Sequence, residues 1–224
     1  MQQMLHFVIL MSYAIKTSVA NETMAMSHEW LIFLPQIPSS PSSLRVLVWR
    51  RMRAAGAIGL QNGVWVLPHR LGHEKFIREL LTELAPLGGS GLSFTATSVG
   101  EATDTVIIER ARADRDQEYA EFCERCAEFL HELEKETSQK KFTYAELEEN
   151  EDDLTKLSTW LHKIQDRDFF TGSRSEEALS ILAQGTQALA DFTQRVYDEA
   201  ALGSTNHSSS EQNTAADENA DRER

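Results

Sequence analysis

Trp30-Leu31-Ile32-Phe33-Leu34 is the continuous apolar run expected of a central strand covered on at least one face. Pro35 and Pro38 follow, and because proline donates nothing to a ladder the strand is predicted to end there. Ser39 to Ser43, with Pro41 among them, reads as a helix start, since serine caps and proline is tolerated in a first turn. The helix should run to about Ala55, with Leu44, Leu47, Val48, Met52 and Ala55 as its inward stripe and Gly56 as its stop. Between the apolar runs of Ile58 to Leu67 stands Asn62-Gly63, a pair that accepts the positive φ angles of a tight hairpin. A second helix is predicted over roughly Gly72 to Ala85, with Phe76, Ile77, Leu80, Leu81 and Leu84 inward, ended by Pro86 and Gly88-Gly89. Leu92, Phe94 and Ala96 then alternate with Ser93, Thr95 and Thr97, giving a last strand with one wet face. The order β-α-β-β-α-β predicts an α+β domain, the ferredoxin-like split βαβ sandwich, over residues 29–100.

After Gly100 the period changes to that of long helices. Tyr119, Phe122/Cys123, Cys126, Phe129/Leu130 and Leu133 recur every three or four residues, predicting a helix over about 103–137 that breaks at Ser138 to Lys141. Thr143-Tyr144-Ala145-Glu146 is a capping box opening the next helix. Its seam is Leu147, Leu154, Leu157, Leu161 and Ile164, with polar Asn150 at one seam position. Ser173-Arg174-Ser175-Glu176 should cap a third helix carrying Ala178, Ile181/Leu182, Gly185, Leu189, Phe192 and Val196 inward. Short loops imply antiparallel neighbours, so residues 101–202 are expected to form a helical hairpin plus one further helix, packed on the first domain. Residues 203–224 are rich in Ser, Asn, Glu and Asp without a large apolar side chain, and composition predicts a disordered acidic and polar tail.

Residues 1–28 read as an extension, unstructured or the product of an over-extended start, since Met24 and Met26 stand just before the first strand. Leu5 to Ile15 is mostly apolar, but no Lys or Arg precedes it, which argues against a signal peptide, and it is too short to span a bilayer. With no other membrane-length run and only Cys123 and Cys126 as cysteines, a reducing cytoplasmic setting is expected.

Charge changes the picture more. Of 22 basic and 35 acidic residues, residues 1–100 hold 8 and 5, leaving 14 and 30 for the rest. An acidic chain does not bind nucleic acid indiscriminately, but a local basic patch remains open to it. That patch is the first helix, where Arg45, Trp49 and Arg53 lie four apart and Arg50 and Arg51 flank them. Two readings stand: a phosphate or partner surface, or a solvated face whose arginines pair with the acidic helices. At the same helix start, the hydroxyls of Ser39, Ser40, Ser42 and Ser43, free backbone N–H groups and Arg45 suit a small tetrahedral dianion; plain capping is the alternative.

Other constellations carry less. Cys123-Glu124-Arg125-Cys126 lies mid-helix, away from the helix N-terminus that activates a thioredoxin-type pair, and reads as a buried apolar pair. The histidines at 6, 28, 69, 73, 131, 162 and 207 are scattered; His69 and His73 are four apart without a third ligand, so no metal is expected. Asp166-Arg167-Asp168 reads as local ion pairs at a helix end, with Phe169-Phe170 packing back on the core. No catalytic constellation and no cofactor motif is found.

The stretch W-L-I-F-L-P-x-x-P-S-S-P-S-S-L-R-V-x-V-W-R-R-M-R-A-x-G-A resembles the N-terminal domain of the chromate resistance protein ChrB. So do V-W-V-L-P, D-R-D-Q-E-Y-A-E-F, F-T-Y-A-E-L-E-E and L-H-K-I-Q-D-R-D-F-F, over about Glu29 to Tyr197. The resemblance implies a cytoplasmic bacterial regulator of a chromate-resistance operon that acts on transcription and responds to chromate; with no cofactor motif in the chain, no enzymatic activity is expected. Larger members of that family continue into a C-terminal chromate-resistance domain, so a separate protein carrying that domain is an implied partner. Operator DNA, chromate or sulfate, and a second copy of the chain are the other partners considered. The alternatives are an oxyanion-sensing module without DNA contact and a partner-binding helical scaffold.

Overall fold

The computed structural model describes residues 28–220 apart from 41, 62 and 173, with side chains described as far as residue 202. Most of the predicted extension, together with Pro41, Asn62 and Ser173, therefore lies outside the described residues. The chain divides into two compact units, residues 1–108 and 109–224.

The first unit is α+β. Strand β1 (Glu29–Gln36) leads to helix α1 (Ser43–Ala54), strands β2 (Ile58–Gly59) and β3 (Trp65–Pro68), helix α2 (Leu71–Leu84), a 3₁₀ turn (Ala85–Leu87) and strand β4 (Ser90–Thr97). One antiparallel sheet results, in the order β2-β3-β1-β4, with β1 central as its apolar run predicts. Leu31 and Phe33 pair with Leu67 and Trp65, so these four buried side chains share one face. Helices α1 and α2 add Leu44, Val48, Met52, Ile77, Leu80 and Leu84 to the buried set.

Three expectations need correcting here. Strand β1 does not stop at Pro35 but pairs it with Gly91 and continues to Gln36. Strand β3 ends opposite Phe33, so beyond that point β1 has an unpaired side on which a proline removes no ladder bond. Helix α1 begins at Ser43, within the predicted start, but its N-cap Ser42 is in helical geometry and makes no side-chain cap hydrogen bond. On β4, Leu92 and Phe94 are 51% and 52% exposed, where the alternation predicted an inward face. They pair with Leu34 and Ile32, on the face opposite Phe33. Alternation shows which side chains share a face, and carries nothing about whether that face is covered.

Helix ends follow local chemistry. After α1, Gly56 adopts φ +76°, Gly56 N–H reaches Arg53 O at 3.0 Å and Ala57 N–H reaches Met52 O at 2.9 Å, a Schellman pair.

The second unit is helical: α3 (Glu101–Ser138, entering from the first unit), α4 (Tyr144–Asp166) and α5 (Arg174–Ala220). One apolar cluster joins Tyr119, Phe122 and Cys126 to Leu161, Ile164 and Ala178. A second joins Phe129 and Leu133 to Leu147, Leu189, Phe192 and Val196. The middle of α3 thus meets late α4 and early α5, and its later part meets early α4 and positions further along α5, which makes the helices run up, down and up. Thr143 Oγ1 accepts from Glu146 N–H at 3.2 Å, half of the predicted capping box. Helical backbone continues to Ala220, through the stretch whose composition predicts a disordered tail.

Where α3 ends, a Schellman pair is built on a residue ill suited to it: Lys140 has φ +56°, with Lys140 N–H on Thr137 O and Lys141 N–H on Glu136 O. Left-handed geometry costs a Cβ-bearing residue about 1 kcal/mol. Lys140→Gly is therefore expected to raise stability by roughly that amount, seen as a higher urea midpoint at unchanged slope.

Candidate functional site

Helix α1 turns Leu44, Val48 and Met52 inward, and the spacing of those residues leaves the arginines on the outside. Arg45, Trp49, Arg50 and Arg51 are exposed and Arg53 is half-buried. Trp49 is 55% exposed, an unusual position for an indole with no role in the core. Arg51 is held by Glu83 of α2 at 3.0 Å, an ion pair within the same unit that the sequence did not announce. Arg45 and Arg50 make no ion pair among the described residues. The arrangement brings two unneutralised guanidiniums and an exposed aromatic to one surface, which suits an anionic polymer or an acidic partner.

The serines stand at the start of the same helix. Ser39, Ser40, Ser42 and Ser43 are exposed, as is Arg45. Because Ser42 makes no side-chain cap, the first-turn N–H groups are not taken up by its hydroxyl.

His69, set aside as a ligand by its spacing, has a different place. Its Nδ1 lies 2.8 Å from Glu29 Oε2 and its Nε2 2.6 Å from Glu74 Oε1, while its backbone N–H donates to Glu29 O. It clasps the start of β1 to the first turn of α2. Hydrogen bonds to Glu74 and then Glu29 hold the imidazole pKa above its ordinary 6.5, and the His69 contact holds Glu74 below 4.5. His73 is the opposite case: burial lowers its pKa, and Nδ1–H donates to Pro68 O at 2.6 Å. Among the described residues no group of three or more His, Cys, Asp or Glu side chains is placed to hold a metal ion.

A raised histidine pKa contributes stability that is complete below the unfolded value and lost as pH rises through the folded one. His69→Gln is accordingly expected to lower stability most between about pH 4.5 and 6.5, where Glu74 is ionised and His69 charged. The difference from the wild type should close above the folded His69 pKa. Urea melts at a series of pH values check this, and a constant difference would refute it.

In the helical unit two Asp-Arg-Asp motifs, Asp114-Arg115-Asp116 and Asp166-Arg167-Asp168, converge on Glu118 through their arginines. The expected local ion pairs at 166–168 are not what forms, apart from a 3.8 Å contact of His162 with Asp166. Instead Arg167 donates from Nε and Nη2 to Glu118 Oε2 on α3, at 3.0 and 2.7 Å, and Tyr119 OH donates to Asp168 Oδ2 at 3.0 Å. Arg115, nearly buried, reaches the other Glu118 oxygen at 3.1 Å, and Arg112 Nε–H donates to Phe170 O at 3.0 Å. Burial, reinforced by Asp168, pushes the Tyr119 phenol well up, so it is a donor and not an anion. The repeated motif was the available signal; the reach across 49 residues was not visible in it. Lower in the bundle, Asn150 donates to Glu136 at 2.7 Å and to Glu146 O at 2.9 Å, and burial raises the Glu136 carboxyl. Of the two free cysteines Cys126 is buried in the first cluster with its thiol pushed up to about 12, which makes it inert as a nucleophile.

Among the described residues no helix is long and apolar enough to cross a membrane. The family described as "Protein ChrB, N-terminal" matches residues 45–203, a range that takes in Arg45 to Arg53 and the convergent motifs and leaves out β1 and the serines. Protein ChrB of Cupriavidus metallidurans is 35% identical over 94 residues, which are 42% of this chain and 28% of that protein. The chain thus matches little more than a quarter of that relative's length. No solved structure matches. With most of its length inside the family match, and both units represented in it, the chain belongs to the ChrB N-terminal family.

Proposed function

We propose that the protein is a non-enzymatic regulatory or accessory module of chromate resistance, acting in the cytoplasm on the transcription of a chromate-resistance operon through α1. The observation that carries this reading is the outer face of α1, where Arg45 and Arg50 are exposed without an ion pair beside exposed Trp49. In a chain with net charge −13, two exposed arginines that make no ion pair among the described residues have a polyanion as their fitting partner. Membership of the ChrB family supplies the chromate context. The element order and the sheet order β2-β3-β1-β4 support a ferredoxin-like arrangement for the first unit, which would present α1 on a rigid sheet. The serine-rich start of α1, uncapped by Ser42, is the place this reading gives to an oxyanion effector.

Binding to the operator should weaken steeply with salt, at about 0.9 in log–log slope per phosphate contact. Arg45→Ala with Arg50→Ala is expected to weaken binding and to reduce that slope by about 2. Fluorescence anisotropy with operator and unrelated duplexes over a salt series, with and without chromate, measures both. An unaltered slope in the double variant, or binding indifferent to salt, overturns the assignment to α1.

A further inference from the structure

We infer that the outer edge of β4 is a self-association surface, and that its occupant is β4 of a second copy of this chain, paired antiparallel. Among the described residues strand β4 closes one end of the sheet and pairs only with β1. It does so over eight consecutive rows, Glu29↔Thr97 to Gln36↔Ser90, without a bulge. Edge strands of solitary domains are blunted by charge, proline, brevity or a bulge. Ser90 to Thr97 has none of these: eight residues, no charged side chain and no proline.

The strand also exposes apolar side chains that a paired edge would use. Leu92 and Phe94 are half exposed and share a face with half-buried Leu34 and Ile32, so the apolar surface continues from β1 to the sheet's end. A two-fold axis through Ser93, normal to the sheet, sets Leu92 opposite Phe94 of the copy and Phe94 opposite its Leu92. That self-complementary register extends the apolar surface across the junction.

Charge selects this place for a like partner. Two copies each carrying −13 meet at least cost on an uncharged surface, and β4 is uncharged along its whole length. An eight-residue strand is roughly 27 Å long at about 3.4 Å per residue. One strand pairing lies at the small end of specific interfaces, below about 1,200 Å². The dimer is accordingly reversible and concentration-dependent.

The test is sedimentation velocity on the full chain across two decades of concentration. The wild type is expected to move from one toward two chain masses. Ser93→Lys places like charges face to face on the axis and should weaken the dimer by about tenfold or more. Ser93→Glu should do the same alone, and an equimolar mixture of the two variants should recover a dimer as opposite charges meet. That recovery distinguishes a lost interface from a damaged fold, because a misfolded variant is not rescued by its counterpart. A wild type that remains monomeric throughout overturns the inference. So does a dimer that survives Ser93→Lys, or a mixture that stays monomeric.

Discussion

Glu118→Ala is expected to cost the helical unit about 3 kcal/mol, by leaving Arg167 without its carboxylate and taking one from Arg115. Both nitrogens of Arg167 that reach Glu118 use Oε2, and Arg115 uses Oε1, so a single carboxylate neutralises two guanidiniums. The Arg115 side chain is 6% exposed, and breaking a buried pair typically costs about 3–5 kcal/mol because the remaining charge stays desolvated. Glu118 and Arg167 each retain about a fifth of their exposure, which places the cost at the lower end. Tyr119→Phe removes only the donor to Asp168 and should cost about 1–2 kcal/mol. The decisive measurement is a double-mutant cycle of Glu118→Ala and Arg167→Ala in urea unfolding. Coupling above about 1 kcal/mol is expected for groups in one network, and additive costs would show the contact to be idle.

That network marks how far the sequence could be read. Elements whose signals are local came through: the Asn-Gly turn region has Gly63 at φ +79° and Leu60 N–H on Val64 O, and Thr143 caps α4 as its motif requires. The stripes of α3 and α4 are buried where their period put them, because a helix has one inward face and its period names it. What failed needed a partner from elsewhere. The exposure of Leu92 and Phe94 depends on what covers the second sheet face, and Pro35 is tolerated only because β3 ends early. Arg167 looked local because its own neighbours are acidic, and only the antiparallel return of α4 along α3 offers it Glu118 instead. The arginines of α1 were legible as a surface, since Leu44, Val48 and Met52 fix the inward side. That Glu83 takes Arg51 and leaves Arg45 and Arg50 was legible only once α2 lay beside α1.

Phe33→Ala is expected to cost about 4 kcal/mol, the range for emptying a core aromatic site. Phe33 is fully buried in the central strand, paired with Trp65 on one side and Ser93 on the other. Its ring also explains a glycine. A Cβ on Gly91 would stand 2.6 Å from Phe33 Cε2 and 3.0 Å from Leu34 O, so β4 can lie against β1 at that row only without a side chain. Gly91→Ala in the wild type is therefore expected to cost about 1–3 kcal/mol through overpacking. In the Phe33→Ala background the ring is gone and the new methyl enters the space it leaves. The Gly91→Ala cost should then fall by 1 kcal/mol or more, while the contact with Leu34 O, being backbone, persists and keeps the relief partial. Urea midpoints of the four proteins measure this directly. An equal cost of Gly91→Ala in both backgrounds would mean that the ring does not set the approach of β4. The glycine would then be required by the backbone of β1 alone.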